Sequence, residues 1–402
     1  MKKVIAISLL TGATSVAVLA NTLLSDPHLD TLQLQTTPGD ITPVDFVPPT
    51  SAPLAQDKPR IEVVFVLDTT SSMSNQIESA KQQIWSIATT LASGEPAPLI
   101  KMGLVGFRDR GDDYVTQVIP LSDDLDTLYA RLMNFEALGG GDAPEDVNQA
   151  LSDALTRMQW SQDASTYRTI FLVGDAPAHE DYADGPQWPD LAKLAKSQGI
   201  KLNTVLAGND GAASAQFRQI ASLAGGDYLT IGQNVATLTA TPFDDQIAKL
   251  SSEMDDTRVF FGDVAERKAL EAKSESTRKI YASAPAAALA SRADYNASEA
   301  GLANFTAGKD LVDAYQKGSV ELEALPAAVL PTELQAMSLS ERQAELTKKA
   351  EKRKSLEKDL KALTEQRQAY LDKNAKEDSA AGLNPILETA KAQAEASAKI
   401  AY

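Results

Sequence analysis

Apolar positions between residues 60 and 258 alternate between two patterns. Arg60–Leu67 (RIEVVFVL) is a β-branched apolar run of the length a buried strand needs. Lys101–Phe107, Val115–Leu121, Arg168–Val173, Lys201–Ala207 and Tyr228–Ile231 read the same way. Between these runs the apolar residues recur at helical spacing. In Asn75–Ala92 they are Ile77, Ala80, Ile84, Ile87, Ala88 and Leu91. The spacing also predicts helices over Leu125–Phe135, Glu145–Met158, Trp188–Ser197, Ala213–Leu223 and Phe243–Asp255. Gly199 and Gly225-Gly226 stand where two of them stop. Alternating strands and helices predict an α/β class: a doubly wound, mostly parallel sheet flanked by helices on both faces.

The pattern changes after residue 259. Alanine becomes frequent and β-branched runs disappear, which predicts an α-helical C-terminal region over 259–402. Thr332-Glu-Leu-Gln335 and Ser340-Glu-Arg-Gln343 fit capping boxes. Leu346, Leu356, Leu360, Leu363 and Tyr370 share one helical seam. Arg342, Lys349, Arg353 and Arg367 fall on the same seam, which argues against a long coiled coil. The expected arrangement is a helical hairpin or helices laid on the preceding domain. A coiled coil joining copies into a homo-oligomer is the alternative. Asn296-Ala-Ser298 and Asn304-Phe-Thr306 fit glycosylation acceptors, which carry no meaning in a bacterial chain.

At the other end, Lys2 and Lys3 precede an apolar run from Val4 to Leu19, and Val18-Leu19-Ala20 offers a cleavage site. Residues 1–24 thus read as a signal peptide, or as an N-terminal membrane anchor if uncleaved. Residues 25–59 form a Pro-rich linker: 7 of the 19 prolines lie in 26–59. The expectation is an exported protein of the periplasm or cell envelope, secreted or held by its N-terminus.

Composition narrows the chemistry. The 402 residues include no cysteine, which excludes disulfides, thiol nucleophiles and thiolate metal sites. His28 and His179 are the only histidines, so multi-histidine metal centres are excluded and a Ser-His-Asp hydrolase is starved of candidates. The net charge is −17. It sits in residues 60–258, which hold 28 Asp and Glu against 14 Lys and Arg. Such a domain repels nucleic acid phosphates but can hold hard divalent cations.

Three clusters carry candidate chemistry. The first strand runs into Asp68-Thr-Thr70-Ser-Ser72, a D-x-T-x-S turn ahead of a helix. One carboxylate and two hydroxyls on one turn are hard oxygen ligands, suited to Mg²⁺, Mn²⁺ or Ca²⁺. Ser and Thr there also suit a plain helix cap. Gly139-Gly-Gly-Asp142-Ala-Pro144-Glu145-Asp146 is a glycine-rich loop loaded with acids. Asp175 follows another strand, in Asp175-Ala-Pro-Ala-His179. Ligands in open α/β sheets sit off such strand ends. Unpaired acids gathered on one rim would repel one another, and a dication removes that cost.

With these parts in this order, residues 60–258 resemble a von Willebrand factor type A (VWA) domain, a Rossmann-like fold, with its metal-ion-dependent adhesion site. The local motifs are most similar to those of integrin β-subunit domains. Lys101-Met-Gly-Leu-Val-Gly-Phe-Arg-Asp109 resembles the integrin β strand that ends in Asp, and Asp142-Ala-Pro-Glu145 its acidic loop. The resemblance implies that Asp68, Thr70, Ser72, Glu145 and Asp175 hold one ion, with Asp142 competing for Glu145's place. Mg²⁺ is expected, with Ca²⁺ or Mn²⁺ as alternatives. It implies a second ion site at Asp109, Asp142, the Pro144 carbonyl and Glu145. A third is not expected, because Asn75 and Gln76 stand where acids are needed.

Several residues have plainer readings. His179 is expected to pack its loop, with contact to the site as the alternative; Arg108–Asp113 to form a solvated loop, with a role at the rim as the alternative; and Trp160 and Trp188 to serve as packing, with anchoring of a partner as the alternative. The expected function is divalent-cation-dependent protein binding, the ion accepting an Asp or Glu of a protein partner. An envelope assembly factor or chaperone subunit that docks clients is the alternative. No enzymatic activity is expected.

Overall fold

The computed structural model describes residues 58–141, 144–232, 238–374 and 384–402. The expected signal or anchor and the linker as far as residue 57 lie outside the described residues.

The first part of the fold is α/β, as predicted. In chain order it runs β1 (Arg60–Asp68), α1 (Ser74–Ala92), β2 (Leu99–Phe107), β3 (Thr116–Ser122), α2 (Leu125–Leu132) and α3 (Val147–Thr156). It continues with β4 (Thr166–Gly174), α4 (Trp188–Ser197), β5 (Lys201–Ala207), α5 (Gly211–Ala224), β6 (Tyr228–Ile231) and α6 (Asp244–Asp255). The six strands line up as β3-β2-β1-β4-β5-β6. All neighbours are parallel except β2 and β3.

Burial explains the apolar runs. Along β1, Ile61, Val63, Phe65 and Leu67 pack on one face with Ile84, Trp85, Leu128 and Tyr129. Val64 and Val66 face the other side, with Leu151, Leu191, Phe217 and Ile220. A strand covered on both faces has no solvent side, so its sequence is apolar throughout rather than alternating.

The helix expected from Glu145 begins only at Val147. Asp146 caps it, its side chain accepting from the Gln149 amide at 2.9 Å. Glu145 instead pairs with Ala178 in an isolated parallel bridge. The helix expected to reach Phe135 ends at Leu132, and Phe135 turns into the core, 3% exposed.

The C-terminal region is helical. It comprises α7 (Val264–Ser283), α8 (Ala286–Ala297), the short α9 (Leu302–Thr306), α10 (Leu311–Gln316) and α11 (Thr332–Gln335), then α12 (Leu339–Asn374) and α13 (Asn384–Ala398). The α12 seam is buried against the same chain. Leu346 packs with Val259, Leu311 and Leu330, and Leu356 and Leu360 pack with Ile247, Met254 and Phe305. Its basic residues find partners there too: Arg367 donates to Asp244 at 2.8 Å and Asp294 at 3.0 Å. The expected capping boxes are misplaced. Ser338 and Glu341 form the reciprocal cap of α12, and α11 has no side-chain cap.

Besides the α12 contacts, two further groups tie this region to the sheet domain. Arg292 is wholly buried and grips both oxygens of Asp126, at 2.6 and 2.7 Å, and Asp255 at 2.8 Å. The Asn304 side chain accepts from the Leu125 amide at 2.9 Å, at the start of α2. Asn304 is 1% exposed, so its acceptor sequence is closed to glycosylation in the folded chain. Second, α13 lies against β4, β6 and α1. Its Ile386, Ala390 and Ala394 share a core with Phe65, Val205 and Ile231. Gln393 donates to Asn203 on β5 at 2.8 Å, and the chain end is strapped by paired backbone bonds between Glu95 and Ala401.

Candidate functional site

β1 is flanked by β2 on one side and β4 on the other, so the chain reverses its winding direction there. The crevice off the carboxyl ends of β1 and β4 is the switch point where open α/β sheets hold ligands. Asp68 is the last residue of β1, and Asp175 directly follows β4.

The Asp68 turn is tightly organised. Asp68 Oδ1 accepts from the Thr70 amide at 2.8 Å and from Thr70 Oγ1 at 2.6 Å. Thr70 Oγ1 lies 3.3 Å from Ser72 Oγ. The carboxylate and both hydroxyls thus stand together, Asp68 and Thr70 buried and Ser72 exposed.

The glycine-rich loop closes over this turn. Leu138 donates its amide to the Thr69 carbonyl at 3.2 Å, and the Ser71 hydroxyl donates to the Gly139 carbonyl at 2.8 Å. Gly140 has φ +78°, and a Cβ there would meet Thr70 Cβ at 2.9 Å with Glu145 Oε1 at 3.4 Å. Only glycine fits this close approach. The Glu145 amide donates to the Pro177 carbonyl and the His179 amide to the Glu145 carbonyl, which binds the loop after β4 to Glu145. The fold therefore brings Asp68, Thr70, Ser72, Glu145 and Asp175 to one rim. Asp142 lies outside the described residues.

The carboxyls there are perturbed. Burial pushes Asp68 up to about 7, and nearby Asp175 adds to the rise. Burial, then Asp68, Asp109, Asp112 and Asp175, push Glu145 up to about 9. Asp68 Oδ2 and Glu145 Oε2 are buried and accept no hydrogen bond. A buried carboxylate oxygen without a donor is costly, and a proton or a cation removes the cost. The donor set (carboxylates and hydroxyls, all hard oxygens) fits a divalent ion. Among the described residues, no group of three or more His, Cys, Asp or Glu side chains that could hold a metal is present. A site here depends on the hydroxyls of Thr70 and Ser72 as well.

Beside this rim the structure corrects one expectation. Arg108 and Asp109 are buried, not solvated. Arg108 donates to the carbonyls of Thr69 at 3.2 Å and Glu136 at 2.9 Å, linking two loops of the rim. Tyr182, unremarked in the sequence, donates to both oxygens of Asp109 at 3.0 Å. Its ring stacks on His179 at 4.0 Å, and the Arg110 guanidinium covers it at 4.0 Å. Nothing in the local pattern marks Tyr182, because its role comes from loops meeting in space. His179 packs its loop as expected, with Nδ1 2.8 Å from Asp181. Trp160 and Trp188 are buried, as expected of packing residues.

Residues 62–240 match the family model of the von Willebrand factor A domain, and the chain carries such a domain. Over 118 residues, 29% of the chain, it is 38% identical to von Willebrand factor A domain-containing protein 7 of Rattus norvegicus and 37% identical to that of Homo sapiens. The chain spans 12% of the length of these curated relatives. Among solved structures, the VWA domain of SpRpn10 matches 48% of this chain and 95% of its own, at 14% identity and a TM-score of 0.34. Proximal thread matrix protein 1 from the mussel byssus matches 44% of this chain and 43% of its own, at 15% identity and a TM-score of 0.34.

Proposed function

We propose that the VWA domain of this chain is a divalent-cation-dependent protein-binding module. The observation that carries the reading is the pair of buried, undonated oxygens, Asp68 Oδ2 and Glu145 Oε2, beside the hydroxyls of Thr70 and Ser72 at the sheet's switch point. Asp68, Thr70 and Ser72 would hold the ion, with Glu145, Asp175 and Asp142 completing its surroundings. Mg²⁺ suits this set, and Ca²⁺ or Mn²⁺ are alternatives. Asp109 is the acid for a second ion, shared with Asp142, Pro144 and Glu145. The ion supplies a Lewis acid that accepts an Asp or Glu of a protein partner.

The reading is non-enzymatic. His179, the one histidine of the domain, is buried, with Nδ1 against Asp181, Nε2 3.3 Å from Asp109 and its ring stacked on Tyr182, which suits loop packing rather than a solvent-open base. The charged, then apolar N-terminus supports export to the envelope. The test is affinity capture from an envelope extract, on wild type and on Asp68→Ala, with Mg²⁺ or with chelator. The expected result is a protein retained by wild type with Mg²⁺ and lost under both changes. A partner retained equally by Asp68→Ala, or in chelator, contradicts the proposal.

A further inference from the structure

The acidic rim lies off the carboxyl ends of the strands, and a basic cluster lies at their amino ends. Arg60 on β1, Lys101 on β2 and Arg168 on β4 stand at or near the starts of three neighbouring strands. Glu62 is the register partner of both Lys101 and Arg168. Side chains alternate between faces along a strand, so the three cations share the face of Val64 and Ile170, around Glu62. Neighbouring strands lie about 4.8 Å apart, which sets Lys101 and Arg168 roughly 10 Å apart across β1. The acids that feel the cluster are Glu62 and Asp163. Buried Glu62 accepts from the Ser161 amide at 2.8 Å, and Asp163 accepts from the amide and hydroxyl of Ser165. Among the described residues, neither acid forms an ion pair with the three cations.

The cluster has open donors. Arg60 and Lys101 are half-buried, and neither donates a hydrogen bond to any described residue. Arg168 donates through Nη1 to the Ser161 carbonyl at 2.6 Å, and its Nε is enclosed. Its Nη2, beside Gly199, donates to nothing and is not enclosed. Arg168 forms part of the wall of a cavity of about 530 Å³ between the ends of α3 and α4. That volume lies in the range of small-molecule sites. Gln159 and Gln198 line the same cavity; both are exposed and their side-chain amides are uncommitted. Met158 lines it too and lies against Gly103, two residues on from Lys101.

We propose that this cavity binds a phosphate-bearing ligand, its oxygens accepting from Nη2 of Arg168 and from the amides of Gln159 and Gln198, with Lys101 and Arg60 adding positive charge. A phosphate suits the cluster because its several oxygens accept from several donors at once, and charge-assisted bonds to guanidinium are the strong ones. Free phosphate compounds and acidic phospholipid headgroups share this chemistry. The site lies at the opposite edge of the sheet from Asp68, so it does not depend on the ion rim.

Two probes separate these sources, both applied to the full chain without added dication. One is calorimetric titration of inorganic pyrophosphate. The other is sedimentation with phosphatidylglycerol vesicles, beside phosphatidylcholine vesicles. Saturable pyrophosphate binding is expected for a soluble ligand, and selective sedimentation with phosphatidylglycerol alone for a lipid headgroup. Arg168→Gln and Lys101→Gln are each expected to weaken the interaction about ten-fold, as for loss of one charge-assisted donor. Gln198→Glu sets a negative charge on the exposed wall and is expected to weaken it as much while the melting temperature stays near wild type. Asp68→Ala is expected to leave it unchanged. Binding of neither probe by wild type, undiminished binding by a folded Lys101→Gln or Gln198→Glu, or loss of binding in Asp68→Ala would overturn the proposal.

Discussion

At Asp68 and Glu145 the free protein holds two carboxyls in the protonated direction. Both fold-state values, about 7 and about 9, lie above the ordinary carboxyl range. The unfolded chain therefore loses these protons first as pH rises. The two groups contribute stability below about pH 4, and that contribution is lost progressively as pH rises through 7 and towards 9. A bound dication reverses the penalty, because it favours the charged forms. Melting temperatures with and without Mg²⁺ should therefore diverge as pH rises from 5 to 9. Ion binding at pH 7 should also release protons, measurable by calorimetry in buffers of different ionisation enthalpy. A gap independent of pH, with no proton release, would count against these carboxyls as ligands. The grouping of Asp68, Thr70 and Ser72 on one turn was legible from their spacing, which suited an ion site and a helix cap alike. Tyr182 was not, since its partner Asp109 is far away in sequence and the two meet only through folding.

Among the elements, α12 and α13 carry the predictions that the sequence pattern left open. The α12 seam mixes leucines with arginines because it packs on helices of its own chain, where buried acids await it. Arg367→Met removes the partner of buried Asp244 and half-buried Asp294. Burial already pushes Asp294 up to about 6, against the pull of Arg367. Breaking such a pair costs about 3–5 kcal/mol, so urea denaturation of Arg367→Met should show a loss of that order. A loss under 1 kcal/mol would mean that α12 is only loosely docked. α13 is Ala-rich and weakly patterned, and sequence alone gave it no place. Its position is set by Ile386, 1% exposed, and by Gln393 bonded to Asn203. Ile386→Ala should cost about 2–4 kcal/mol, as for buried aliphatic truncations. The unfolding transition should show this as a lower midpoint with an unchanged slope.

Across the molecule, the strand–helix alternation predicted the sheet domain because the runs of β1, β2, β4 and β5 are buried on both faces, a signal independent of distant contacts. The helical layer was legible only as helical. Its docking depends on pairs far apart in sequence, such as Arg292 with Asp126 and Glu95 with Ala401. The sheet domain shares its core with α13, so removing residues 384–402 should destabilise the metal rim along with the rest. Circular dichroism melting of that truncation should show one transition at lower temperature rather than an unchanged domain. The central claim is that the acidic rim is a working ion site. Calorimetric titration of Mg²⁺, Mn²⁺ and Ca²⁺ into the chain, wild type beside Asp68→Ala, tests it most directly. The account predicts saturable binding in wild type and its loss in a variant that keeps the wild-type circular dichroism spectrum. Equal binding by a folded Asp68→Ala, or no binding of any of the three ions by wild type, would contradict it.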